Sequence, residues 1–218
     1  MNTTGQFVQV DAYFDLICPW CWIGKHYFET ACARLSELEP ELSVKVRWHS
    51  VQLIPHLPPQ GLPYQTFYEH RLGSSDAVRV RQAQVQVSAT RAGLTIEFAR
   101  IKVLSNTWFA HRLLASAEQQ LSLQALQALQ EALFVAYFVE GRDLGDASVL
   151  KRLAETHGVD QSTIEWFDEP TVWGEHSGVS WVPYFVFNKA EVLSGAQAPE
   201  IILSTMLRSA ALGQVPLA

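Results

Sequence analysis

Phe14-Asp15-Leu16-Ile17-Cys18-Pro19-Trp20-Cys21-Trp22-Ile23-Gly24-Lys25 is the stretch on which the fold turns. Upstream of it, Val8, Val10, Ala12, Phe14 and Leu16 alternate with Gln9, Asp11, Tyr13 and Asp15. That two-residue period predicts a strand over Phe7 to Ile17 with one face more apolar than the other. Downstream, Gly24, Phe28, Ala31, Leu35 and Leu38 recur at helical spacing. Pro19 falls just inside the helix start, where its missing N–H has no helical partner to lose. Val44, Val46 and Trp48, alternating with Lys45, Arg47 and His49, predict a second strand continuing towards Leu53. Strand, helix and strand make a βαβ unit, with parallel strands and a right-handed crossover expected.

The same stretch carries the chemistry. Thiol–disulfide exchange needs two cysteines close enough to bridge, one of them reactive as a thiolate. A C-x-x-C at a helix start supplies both. Cys18 sits where backbone N–H groups lack partners and the helix dipole is positive, which stabilises a thiolate. Cys21 lies one turn inside and can resolve a mixed disulfide. Cys18 therefore reads as the nucleophile and Cys21 as the resolving thiol. Three plainer readings compete: a zinc site, two buried structural cysteines, and a degenerate motif on an inherited scaffold. Zinc would need Cys18, Cys21, His26 and Cys32, but the last three spread over about 16 Å of one helix and cannot surround one ion. Cys32 itself falls three turns beyond Cys21 and reads as an inert core thiol. Asp15, three residues before Cys18, is a candidate to take a proton from Cys21, against an exposed or hydrogen-bonded strand-end Asp. Lys25 reads as a surface cation.

Beyond the βαβ unit the rhythm breaks at Pro55, Pro58, Pro59 and Pro63. Helices are predicted over Tyr64 to Leu72, Asp76 to Ala92, Thr107 to Gln120, Leu123 to Glu140 and Ala147 to His157. Their caps are Ser74 or Ser75, Asn106, Ser122 and Asp146, with Gly93, Gly141 and Gly158 as stops. Only Leu94 to Phe98 is ambiguous between strand and helix. The α/β pattern returns with Tyr184 to Phe187, the turn Asn188-Lys189 and Glu191 to Ser194, an antiparallel hairpin. A closing helix runs from Ala198 to Leu212. His111-Arg112 on an insertion helix are candidates to line the cleft, and Trp20, Trp22 and Trp181 to form an apolar rim.

The 218 residues carry 16 Lys+Arg against 22 Asp+Glu, a formal charge of -6 that gives no basic excess to drive contact with nucleic acid. The longest apolar run, Ala132 to Val139, is too short for a membrane helix. Three cysteines cannot form a disulfide scaffold. The opening residues Met1 to Gln6 lack a basic segment followed by an apolar stretch, so a cytoplasmic address is expected.

The stretch from Phe14 to Lys25 resembles the DsbA-like thioredoxin family, in its FrnE-type branch. Asn106-Thr107 with Ala110-His111-Arg112-Leu113, Glu131-Ala132-Leu133-Phe134 with Ala136-Tyr137-Phe138, and Glu140-Gly141-Arg142-Asp143 extend the match. Val182-Pro183-Tyr184-Phe185-Val186-Phe187 and Ser194-Gly195-Ala196-Gln197 complete it over nearly the whole chain. The resemblance implies an α/β thioredoxin fold (βαβ…αββα) with a large all-helical insertion: residues 1–60 and 169–218 as the thioredoxin-like domain, 61–168 as the insertion, placed over the active-site face. It implies a protein disulfide oxidoreductase whose redox-active pair is Cys18 and Cys21, with Pro183 as the cis-proline beside them. Trp20, Val182 and Pro183 are then the substrate-binding residues; read alone, Pro183 is a strand-start proline. Where the family usually has Gly before Val-Pro, this chain has Trp181. No cofactor is called for beyond the redox-active disulfide, with glutathione a candidate co-substrate. Partners are thiol- or disulfide-containing proteins or small molecules, not nucleic acid or membrane. The branch is also similar to kappa-class glutathione transferases and 2-hydroxychromene-2-carboxylate isomerases, which place Ser where Cys18 stands. A glutathione-dependent transferase or isomerase is therefore one alternative function, and a redox-silent chaperone or peptide-binding module the other.

Overall fold

The computed structural model describes residues 6–164, 166 and 178–212. In chain order the elements are β1 (Gln6–Phe14), α1 (Pro19–Leu38), β2 (Leu42–Ser50), β3 (Leu62–Pro63), α2 (Tyr64–Leu72), α3 (Ser75–Arg91) and β4 (Val103–Leu104). There follow α4 (Trp108–Glu118), α5 (Leu123–Phe138), α6 (Ala147–Thr156), β5 (Tyr184–Phe187), β6 (Glu191–Ser194) and α7 (Pro199–Leu212). The chain forms two compact units, Met1–Val51 with His176–Ala218, and Gln52–Glu175. The domain boundary expected at 168/169 lies outside the described residues, as do residues 1–5 of the opening segment.

The first unit is built on a four-stranded sheet of order β2-β1-β5-β6. β1 runs parallel to β2, with Val10 opposite Val46, and antiparallel to β5, with Ala12 opposite Phe185. The alternation read in β1 is physical: Val8, Val10, Ala12 and Phe14 are all buried. They meet Phe28, Ala31 and Leu35 of α1, Phe185 and Phe187 of β5, and Ile202 and Met206 of α7 in one core. Phe28 stacks on Phe185 with ring centroids 5.6 Å apart. The alternate residues of the sheet carry polar and aromatic groups, among them Tyr13 stacked on His49 and His49 paired to Asp11 at 2.7 Å.

The β5–β6 hairpin turns through Asn188 and Lys189, both at positive φ (47° and 59°), the backbone a primed hairpin turn requires. Asn tolerates that region better than most residues. Its side chain also ties the turn down, accepting from the Gln9 N–H at 2.8 Å and donating to the Ser209 carbonyl at 2.9 Å.

The second unit is mostly helical. Ser74, Ser122 and Asp146 cap α3, α5 and α6 by accepting from the N–H of Ala77, Ala125 and Ser148. Asn106 serves α4 from one position earlier than a standard cap, its Oδ1 accepting from the Trp108 N–H at 2.9 Å. The expectation of an all-helical insertion is corrected: β3 and β4 pair antiparallel through Leu62–Leu104 and Pro63–Val103. Two residues per strand are too few to show an alternation. Leu94 to Phe98 forms no strand; a single 3-10 turn follows at Phe98–Arg100.

Candidate active site

The strand expected to run to Ile17 stops at Phe14, whose carbonyl accepts from the Val51 N–H at 2.9 Å. Asp15, Leu16 and Ile17 are all buried, so the two-face alternation of a strand ends with them. The chain turns instead, and the Cys18 N–H donates to the Asp15 carbonyl at 3.2 Å. Cys18 becomes the N-cap of α1, with φ -93° and ψ 109°, and Pro19 takes the first helical position. The Cys18 carbonyl accepts from the N–H of Cys21 at 3.0 Å and of Trp22 at 3.4 Å. Its side chain makes no capping bond, so the sulfur stands at the positive end of a helix of 20 residues.

Across from it, 164 residues further along, the Val182 carbonyl accepts from the Cys18 thiol at 3.6 Å. The Val182–Pro183 peptide bond is cis. The Pro183 ring lies against Gly24, where a Cβ would come within 2.9 Å of Pro183 Cγ. A glycine in a helical run signals such a close approach, and this is the contact that the helical periodicity of Gly24 concealed. The Pro183 carbonyl accepts from the Gly195 N–H at 2.8 Å, which ties the loop to the end of β6.

Both cysteines are free thiols and nearly inaccessible, Cys18 at 4% exposure and Cys21 at 1%. They are not equivalent. Burial pushes the Cys21 pKa well above that of an ordinary thiol, and its hydrogen bond with Cys18, the Cys18 charge and the Asp15 charge push it further. The Asp15 N–H, donating to Cys21 Sγ at 3.5 Å, opposes these only in part. Cys21 therefore holds its proton more tightly than an ordinary thiol.

Asp15 is fully buried at 0% exposure, on the turn that touches Cys21. The other candidates divide. Trp20, between the cysteines, is half-buried. Trp22 leaves the expected rim: it is buried, edge-on to His26. Trp181 is 74% exposed. Lys25 is corrected from surface cation to buried side chain, ion-paired to Glu29 at 2.8 Å, because its helical position faces inward with Ile23, Gly24 and Phe28. Cys32 packs against the first unit's core, and burial with the Glu29 charge pushes its pKa up to about 12. His111 and Arg112 belong to the second unit, His111 buried and Arg112 over the Trp108 ring at 4.9 Å.

The chain matches the family model described as DSBA-like thioredoxin domain over residues 9–206. It superposes with a TM-score of 0.82 on a probable DsbA oxidoreductase from Streptomyces coelicolor, 25% identical, covering 97% of this chain and 93% of that one. 2-Hydroxychromene-2-carboxylate isomerase superposes at 0.62 with 17% identity, over 94% of this chain and 97% of that one, a likeness of fold. An uncharacterized Bacillus subtilis (strain 168) protein, YwbO, is 25% identical over 158 residues, 72% of this chain and 70% of its own.

Proposed function

The chain belongs to the DSBA-like thioredoxin family, and from that premise we propose that it is a thiol:disulfide oxidoreductase working through the Cys18-Pro19-Trp20-Cys21 pair. One observation carries the reading: two cysteines share one helix start, Cys18 as the N-cap at the dipole end beside the Val182 carbonyl and Cys21 one turn on, its proton held by burial. The Cys18 thiolate attacks one sulfur of a substrate disulfide; a Cys18–substrate bond forms, the substrate S–S bond breaks, and the leaving thiolate takes a proton. Cys21 then loses its proton and attacks Cys18 Sγ, releasing the second substrate thiol and leaving a Cys18–Cys21 disulfide. Two electrons pass from the dithiol to the substrate, and the reverse sequence oxidises a client. Trp20, Val182 and Pro183 are the proposed substrate contacts, supported by the Val182 carbonyl at 3.6 Å from Cys18 Sγ. The same reading takes thiol- or disulfide-bearing proteins and small molecules as partners, with glutathione as co-substrate in a reducing, cytoplasmic setting.

Equilibration in glutathione redox buffers tests this directly. Trp20 lies between the two cysteines in sequence, so tryptophan fluorescence should follow a single two-electron transition that vanishes in Cys18→Ser. Turnover of a conjugation or isomerisation substrate by Cys18→Ser would instead support the transferase or isomerase reading. Client holding that survives loss of both cysteines would support a redox-silent chaperone.

Asp15 is the proposed acceptor for the Cys21 proton. Asp15→Asn should slow resolution of a mixed disulfide at neutral pH by about a hundredfold, the lower end for a lost general base. Because the Asp15 charge raises the Cys21 pKa, the same variant should move the alkaline rise of the resolving rate to lower pH. Stopped-flow rates against pH separate the two effects; an acceleration at neutral pH would leave Asp15 with an electrostatic role alone.

A further inference from the structure

We propose that Trp181 determines specificity, selecting polypeptide disulfides that carry an aromatic or long aliphatic side chain two residues from the reacting cysteine over glutathione disulfide. The inference rests on the thiol:disulfide reading above.

Among the described residues Trp181 is the most exposed large apolar side chain, at 74%. Its position separates it from the rest. Phe7, Leu38 and Leu212 of the same unit sit on a strand and on helices, whereas Trp181 immediately precedes the residue whose carbonyl meets Cys18 Sγ. Its Cα is therefore ~3.8 Å along the chain from that of Val182. A substrate in mixed disulfide with Cys18 has its own sulfur ~2.05 Å from Cys18 Sγ. Along an extended substrate chain, the side chain two residues away lies on the same face, about 6.6–6.8 Å further on. One residue of loop plus an indole covers a comparable span, so that side chain lies within the ring's reach.

The loop carrying the indole is anchored. Pro183 is held against Gly24 on one side, and its carbonyl is held by the Gly195 N–H on the other. Trp has only two side-chain torsions to freeze, so an anchored indole offers a large contact at low entropic cost. Glutathione places a glutamyl group and a glycine beside its cysteine and has no apolar side chain to set on the ring. Exposed indole surface beside a reactive sulfur therefore favours polypeptides of apolar sequence.

The test uses the full chain and disulfide-bonded peptides that differ only at the position two residues from cysteine, Phe or Leu against Gly, with glutathione disulfide alongside. The parent protein should prefer the Phe peptide to the Gly peptide by about tenfold in kcat/KM, the scale of a single aromatic contact. The preference should lie mainly in KM, as uniform binding does. Trp181→Ala should bring the ratio near one, and Trp181→Phe should restore most of it. An unchanged ratio in Trp181→Ala, or glutathione disulfide used as well as the Phe peptide, overturns the inference while leaving the oxidoreductase reading intact. A parent protein that exchanges with none of the three overturns both.

Discussion

Cys18→Ser should abolish disulfide exchange, a loss of about a thousandfold or more, because the alcohol neither ionises near neutral pH nor forms a disulfide. The Cys21→Ser variant should behave quite differently. Its Cys18 keeps its place at the N-cap of α1, beside the Val182 carbonyl, so the first attack proceeds. With no second thiol, the mixed disulfide has no internal exit and accumulates. Intact-protein mass spectrometry under non-reducing conditions should show one client or one glutathione added per Cys21→Ser chain, and none on Cys18→Ser. Adducts on Cys18→Ser, or many turnovers by Cys21→Ser without added thiol, would reverse the roles of the two residues.

The second large effect is on stability at high pH. Cys32 titrates at 9.0 in an ordinary setting and at about 12 in the folded protein, raised by burial and by the Glu29 charge. Below pH 9 both folded and unfolded chains hold this proton, and the stability is fully present. Between pH 9 and 12 the unfolded chain releases it and the folded chain does not, so unfolding becomes easier as pH rises. Three pH units at ~1.36 kcal/mol each amount to about 4 kcal/mol. Denaturant melts of the reduced protein should show Cys32→Ala losing less stability than the parent over that range by up to this amount. The raised Cys21 pKa acts in the same direction, so some slope should remain in the variant. Parallel curves for the two proteins would remove Cys32 as the cause.

The βαβ unit and the place of both cysteines at its helix start are legible because they rest on periodicities that burial enforces. Val8 to Phe14 must face the core on one side of a strand, and Phe28, Ala31 and Leu35 on one side of a helix. The end of β1 is not legible. Asp15 and Leu16 continue the polar-apolar alternation, but both, with Ile17, are buried where the chain turns. For the same reason the sequence leaves Asp15 open between a strand-end acid and a partner of Cys21, and its complete burial on the turn whose N–H meets Cys21 Sγ is not legible. Lys25 misleads because a charged residue signals solvent, while here Glu29, one turn on, lets it stay inside. The Gly24–Pro183 contact joins positions distant in sequence, and one chain without relatives beside it carries no trace of their pairing.

The Cys18–Val182 contact spans 164 residues, and that separation has a consequence for biosynthesis. At ~5–20 residues per second, a ribosome needs roughly 8–33 s after Cys18 to reach Val182. Throughout that interval β1 lacks β5 as a neighbour, and neither the Val182 carbonyl nor the Pro183 ring exists to meet α1. The nascent chain thus displays Cys18 without the carbonyl that its thiol meets in the finished fold. On the proposed function, the site is complete only as the last part of the chain is made, and a chain interrupted before Pro183 would carry the whole Cys18-Pro19-Trp20-Cys21 motif without the Val182 and Pro183 contacts.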